Sequence, residues 1–261
     1  MTRTYWRIFI FFIASYTFTW FGNLGNWLLP SDAWPVPMLP LGPLFAAIFV
    51  IFISQGSVGL KLWFWRIAKF RAPIWVYLVA FFVPLVFIIA SVGLAIAIGT
   101  PHGALPIHAP LDFIIYIPLV LIDGPAPEET SFRGFAQQEL QQEISPLATS
   151  LVIGLGVLIW HLPVLIGGYI PWPIAIALIA VSVVYAWIYI SGGSIWPVVT
   201  LHFVQNYFGG GIFGRIFAEK DGSIWVGFLT LFYVLWAITI AWKFGPSLDL
   251  KSTSAASSNS D

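Results

Sequence analysis

The chain contains no cysteine. That excludes disulfides, thiol chemistry and cysteine-ligated metals, and it carries no information about compartment. Charge is nearly as scarce. Eleven lysines and arginines balance eleven aspartates and glutamates over 261 residues, 8% of the chain, where a soluble domain carries about 25%. Such a chain is built to sit in lipid. Its formal net charge of zero argues against a nucleic-acid partner recruited through a basic surface. The first apolar run follows Arg3 and Arg7, but no small-x-small cleavage site comes after it. It therefore reads as a retained first span and not as a signal peptide. No internal repeat and no second domain are visible.

What the chain has is hydrophobic surface, with 59% hydrophobic and 18% aromatic residues. Segments near 5–24, 39–54, 74–98, 111–143, 145–166, 173–190, 195–213 and 224–243 reach the roughly 17–25 residues a bilayer-crossing helix needs, some across a proline or glycine. They predict an all-α, polytopic membrane protein with about eight transmembrane helices. With the N-terminus inside, the cytoplasmic side receives Arg3, Arg7, Lys61, Arg66, Lys69, Arg71, Arg133, Lys243 and Lys251, and the outside only Arg215 and Lys220. That positive-inside pattern puts both termini in the cytoplasm. In the segment 57–73, Lys61, Arg66, Lys69 and Arg71 alternate with Trp63, Phe64, Trp65 and Phe70, which suits a helix lying in the membrane interface. Within one domain, the expected divisions are N-terminal transmembrane helices over 1–104, a core over 105–212, a last transmembrane helix over 213–244 and a disordered polar tail over 245–261.

One stretch concentrates charge, PAPEETSFRGF at 125–135. A charge at mid-bilayer costs about 2.5–3.5 kcal/mol and normally faces a cavity or a partner. Pro127 can open a new helix, which puts Glu128 and Glu129 in its first turn, where free amides favour carboxylates. Glu129 and Arg133 are four apart and can pair on one face, whereas Glu128 points elsewhere. The helix continues as AQQELQQE, too polar for lipid, so it should project from the cytoplasmic surface. Ser145-Pro146 reads as a turn and helix start. Glu128 and His161 lie about equally far from that turn, roughly 24 Å below it at 1.5 Å per residue. Pro163 breaks the backbone ladder beside His161. After the turn Ser191–Ser194, His202 and Asn206, four apart on the next helix, reach the same depth. A capping pair, a packed histidine and a helix–helix hydrogen bond are the ordinary structural readings of these features. The agreement of three separate segments in depth favours a shared site. His102 and His108, in an outer loop with Asp112, read as solvated, and Asp123 as a residue supporting the site from outside it.

These motifs in this order resemble the CPBP intramembrane proteases, which include the CAAX prenyl endopeptidases and the bacteriocin-processing and immunity-related membrane proteins. EETSFR matches the family's EExxxR at Glu128, Glu129 and Arg133. IWHLP supplies the single histidine, His161, with Val157 where many relatives have phenylalanine. His202 and Asn206 match the third motif. The resemblance covers about 110–210. It implies that Glu128 is the general base that activates a water and that His161 shares this water and passes the proton to the leaving amine. It also implies that His202 and Asn206 donate to the oxyanion, with Glu129 and Arg133 supporting the helix start. No cofactor is favoured. A zinc ion held by Glu128, His161 and His202 is the metal-dependent alternative, and Asn206, a poor zinc ligand, weighs against it.

The expected function is therefore an intramembrane endopeptidase, cutting a peptide or a lipidated, prenylated protein substrate, with membrane lipid as its surroundings. Its cavity would open to the cytoplasm, in the plasma membrane if the source is prokaryotic. The alternatives are a non-catalytic membrane scaffold or immunity-type protein and, less favoured, a transporter, which should show internal pseudo-symmetry. Nothing in the sequence marks an oligomeric state.

Overall fold

The computed structural model describes residues 2–28, 40–105, 110–218 and 221–249, with side chains except at 21–28 and 110–113. His108 and the side chains of Asn23, Asn26 and Asp112 lie outside the described set. Among the described residues every element is helical and none is a strand. In chain order these are α1 (Arg3–Leu28), α2 (Gly42–Ile67), α3 (Ile74–Ala97), α4 (Pro110–Ile122), α5 (Pro125–Ser131), α6 (Gln138–Leu140), α7 (Pro146–Trp160), α8 (Leu162–Ile166), α9 (Pro173–Gly192), α10 (Trp196–Val204) and α11 (Gly222–Phe244). Two π-helical segments, Phe132–Gln137 and Gln205–Gly210, follow α5 and α10 directly.

Among the described residues, four helices are long and apolar enough to cross a membrane: Gly42–Ile67, Ile74–Ala97, Pro173–Gly192 and Gly222–Ser247, with mean hydropathies of 1.9, 2.7, 2.3 and 2.1. Of the other runs of spanning length in the sequence, the first is one continuous helix, α1, and three are divided. The fourth breaks at Asp123-Gly124, and the new helix begins at Pro125, not at Pro127. The fifth breaks at His161, because Pro163 has no amide proton to continue the ladder. The seventh gives way to π-helix and then to a 3₁₀ turn over Phe213–Ile216. The outer surfaces of the long helices are largely apolar. On α3, Ile74, Leu78, Phe82, Val86 and Ile89 are all exposed, an oily stripe that water would not tolerate and a bilayer requires. The protein is an integral membrane protein.

Helix α9 is the axis of the bundle. Every residue from Ala180 to Tyr189 is buried, the mark of a helix surrounded on all sides. It packs against α7 and α11, and also against α3 and α10. Gly154 permits the closest approach, since a Cβ there would lie 3.0 Å from the Ile179 Cα. Helix α2 is bent at Gly56, whose φ of 66° and ψ of −161° suit glycine alone. The basic–aromatic stretch is thus the last part of α2, helical to Ile67 and set off by the bend. It is tied down by Trp196 Nε1 donating to the Ile67 carbonyl at 2.8 Å and Ser194 Oγ to the Lys69 carbonyl at 2.6 Å.

Two details depart from expectation. The polar stretch after Arg133 is not a free projection: Gln137 and Glu139 are buried, and Glu139 accepts from Arg7 of α1 at 3.1 Å. Glu139 is thereby paired inside the protein, whereas the buried side-chain amide of Gln137 has no hydrogen-bond partner among the described residues. The chain also remains packed past 245, with Leu248 fully buried in the α9–α11 core. Residues 250–261 of the polar tail lie outside the described residues.

Candidate functional site

The site begins with a break. Gly124 ends the turn after α4, and Pro125 and Pro127 open α5 with φ already set for helix. Glu128 and Glu129 are both buried in that first helix. Their side chains diverge as helical geometry requires. Glu129 Oε2 accepts from Arg133 Nε at 3.1 Å, the i,i+4 pair expected. Glu129 Oε1 receives Nδ1 of His202 at 2.9 Å, a contact across 73 residues that the sequence reading did not anticipate. A carboxylate only accepts, so the proton lies on Nδ1 and Nε2 of His202 is left for other use.

Arg133 is buried with few ways to shed its charge. Besides Glu129 it donates through Nη2 to Ser182 Oγ at 3.3 Å. Its guanidinium lies 5.3 Å from the centre of the Tyr185 ring, a cation–π geometry. Tyr185 in turn packs 5.7 Å from the His202 ring and hydrogen-bonds Gln205. Ser182, Tyr185 and Gln205 were not singled out from sequence. Serine and tyrosine in an apolar helix are common, and only the burial of α9 from Ala180 to Tyr189 gives them their meaning.

Glu128 is free of the arginine pair. Gly124 marks where it points: a Cβ on Gly124 would lie 3.2 Å from Glu128 Oε1 and 3.3 Å from Asn206 Nδ2. The carboxylate and the amide therefore face one another across a residue with no side chain. Glu128 is also within electrostatic reach of His202, Glu129, Asp123 and Arg133, and His161 within reach of His202. His161 is held by Nδ1 donating to the Val157 carbonyl at 2.9 Å and by the edge of Trp160, with ring centroids 4.6 Å apart. Its Nε2 lone pair is then available to water. Because Val157 acts through its carbonyl, a different side chain there does not remove this support. Trp160 is itself pinned by Thr19 Oγ1 at 2.7 Å.

The site residues thus come from α5, the end of α7 and α10 with its π segment. Glu128 is buried, His161 and His202 are half-buried and Asn206 is exposed, so the site opens at Asn206. Both π segments begin within the motifs, at Phe132 and at Gln205. The wider π turn leaves room that a regular helix would fill, a feature frequent at functional sites. Asp123 sits exposed in the turn before Gly124. His102 is exposed, and its Nδ1 hydrogen-bonds the neighbouring Gly103 carbonyl. Among the described residues no group of three or more His, Asp or Glu side chains is arranged to hold a metal ion. Glu128, His161 and His202, the three residues of the zinc alternative, do not form such a group.

Residues 110–208 match the family model described as Type II CAAX prenyl endopeptidase Rce1-like. A search of curated proteins finds no match to the chain. The matched segment contains Glu128, Glu129, Arg133, His161, His202 and Asn206.

Proposed function

We propose that this chain, whose segment 110–208 belongs to the CPBP and CAAX prenyl-protease family, is an intramembrane endopeptidase in which Glu128 activates a water for peptide hydrolysis. The observation that carries the reading is that the Glu128 carboxylate and the Asn206 amide both lie beside Gly124, with His202 within electrostatic reach of Glu128 and His161 within reach of His202. Glu128 accepts a proton from water as the oxygen attacks the scissile carbonyl carbon. His161, its Nδ1 committed to Val157, receives a hydrogen bond from the same water at Nε2 and relays the proton to the departing amine. The C–N bond breaks, leaving a new carboxylate and a free amine.

Oxyanion stabilisation falls to Asn206 Nδ2 and to His202. With Glu129 at its Nδ1, the His202 ring can carry a second proton at Nε2 and donate it to the developing charge, the logic of a carboxylate–imidazole pair. Glu129 and Arg133 hold that pair in place. The opening at Asn206 faces the cytoplasm, in a protein of eight crossings with both termini inside. In a prokaryote this is the plasma membrane. The substrate is a membrane-associated peptide, prenylated near its C-terminus.

The test is cleavage by purified protein of prenylated peptides and their unmodified counterparts in water enriched in ¹⁸O. The reading predicts one ¹⁸O in each new C-terminal carboxylate and a preference for the prenylated set. Intact peptides throughout would refute it and leave the non-catalytic scaffold.

A further inference from the structure

Away from the site, a cavity of about 260 Å³ opens between the start of α1 and the part of α2 just before the Gly56 bend. Arg3, Trp6 and Arg7 form its polar rim, and Ile10, Val50 and Ile53 its apolar wall. Trp6 is 56% exposed and Ile53 53% exposed, so the groove opens sideways onto the oily surface of the bundle. A small soluble anion would find half of this lining useless.

The charge is one-sided. Arg7 uses only Nη1 for Glu139, leaving Nε and Nη2 as donors, and Arg3 makes no ion pair among the described residues. Just beyond the bend, Lys61, Arg66, Lys69 and Arg71 continue the basic surface, and no acidic residue occurs from 33 to 111. Two guanidiniums beside a tryptophan and a strip of aliphatic side chains match a phosphate joined to a glycerol and an acyl chain.

We propose that the α1–α2 groove binds one anionic phospholipid, its phosphate held by Arg3 and Arg7 and one acyl chain lying over Ile10, Val50 and Ile53. The site stands independently of the peptidase reading. Arg7 links it to the catalytic half, its guanidinium joining the lipid phosphate to Glu139 beyond the EExxxR helix.

The experiment uses full-length, delipidated protein in neutral detergent, with binding read by native mass spectrometry and melting. Phosphatidylglycerol is titrated against phosphatidylcholine of the same chains and against inorganic phosphate. The proposal predicts a single saturable phosphatidylglycerol, bound at least about five-fold tighter than phosphatidylcholine, as expected from roughly 1 kcal/mol per cation at a charged headgroup. Arg3→Gln, which breaks no ion pair, lowers that affinity about five-fold with unchanged melting in the absence of lipid. Arg3→Gln/Arg7→Gln removes the preference, while Lys243→Gln at the end of α11 retains it. Equal affinity for the two lipids, or an Arg3→Gln protein that binds like the wild type, overturns the proposal. Displacement of the lipid by millimolar inorganic phosphate assigns a soluble-anion site and overturns it too.

Discussion

At the scale of single residues, the two adjacent glutamates have different surroundings, and the different duties proposed for them are testable. Glu129 and Arg133 are mutually dependent buried charges. Arg133→Met leaves Glu129 uncompensated, at a cost of about 3–5 kcal/mol, and we predict a clear drop in melting temperature in detergent micelles. Asn206 is exposed and supports no core packing. Asn206→Ala should keep the wild-type melting temperature yet lower kcat by about 10²–10³-fold, the value of one oxyanion donor, as read by steady-state peptide cleavage. A methyl group on Gly124 enters the gap between Glu128 and Asn206. Gly124→Ala should therefore reduce kcat/KM while the fold persists.

At the scale of elements, glycines set how near the functional helices come. A Cβ at Gly134 would lie 2.9 Å from Ile67 Cγ2, so the bent end of α2 packs directly on the helix that carries Arg133. Gly134→Val should push α2 away and expose Trp63, seen as a red shift or increased quenching of tryptophan fluorescence together with lower activity. The sequence was most legible where the physics is local. The Glu129–Arg133 pair follows from four-residue spacing, and Ser145 caps α7 by accepting from Ala148 N at 3.3 Å. Start and stop were less legible: α5 begins at Pro125, since either proline could open the helix. The Glu129–His202 bond was invisible because a contact across 73 residues leaves no periodic trace. The π segments were missed as well, since one extra residue in a turn does not alter composition.

At the scale of the whole molecule, scarcity of charge and abundance of apolar surface already implied helices in lipid, because only closed hydrogen-bonding structures survive there. Which helix lies at the centre was not readable. α9 and α11 look alike in composition, and only packing shows that α9 is enclosed while α11 exposes Leu231, Leu235, Ile238 and Trp242. The burial of Glu139 on Arg7 was hidden for the same reason. The absence of cysteine makes orientation straightforward to measure with single introduced cysteines. We predict that Gln142→Cys, at an exposed position in the turn before α7, labels with an impermeant maleimide only from the cytoplasmic side, and Gly103→Cys, also exposed, only from the opposite side.

The central claim is that Glu128 is the base for water attack, separate in role from its neighbour. The most direct measurement is kcat/KM of Glu128→Gln relative to wild type on a cleavable prenylated peptide, with melting temperature recorded alongside. The account predicts a loss of at least about 10²-fold, within the 10²–10⁴ range of a general base, at unchanged stability. Cleavage by the variant at the wild-type rate would contradict it.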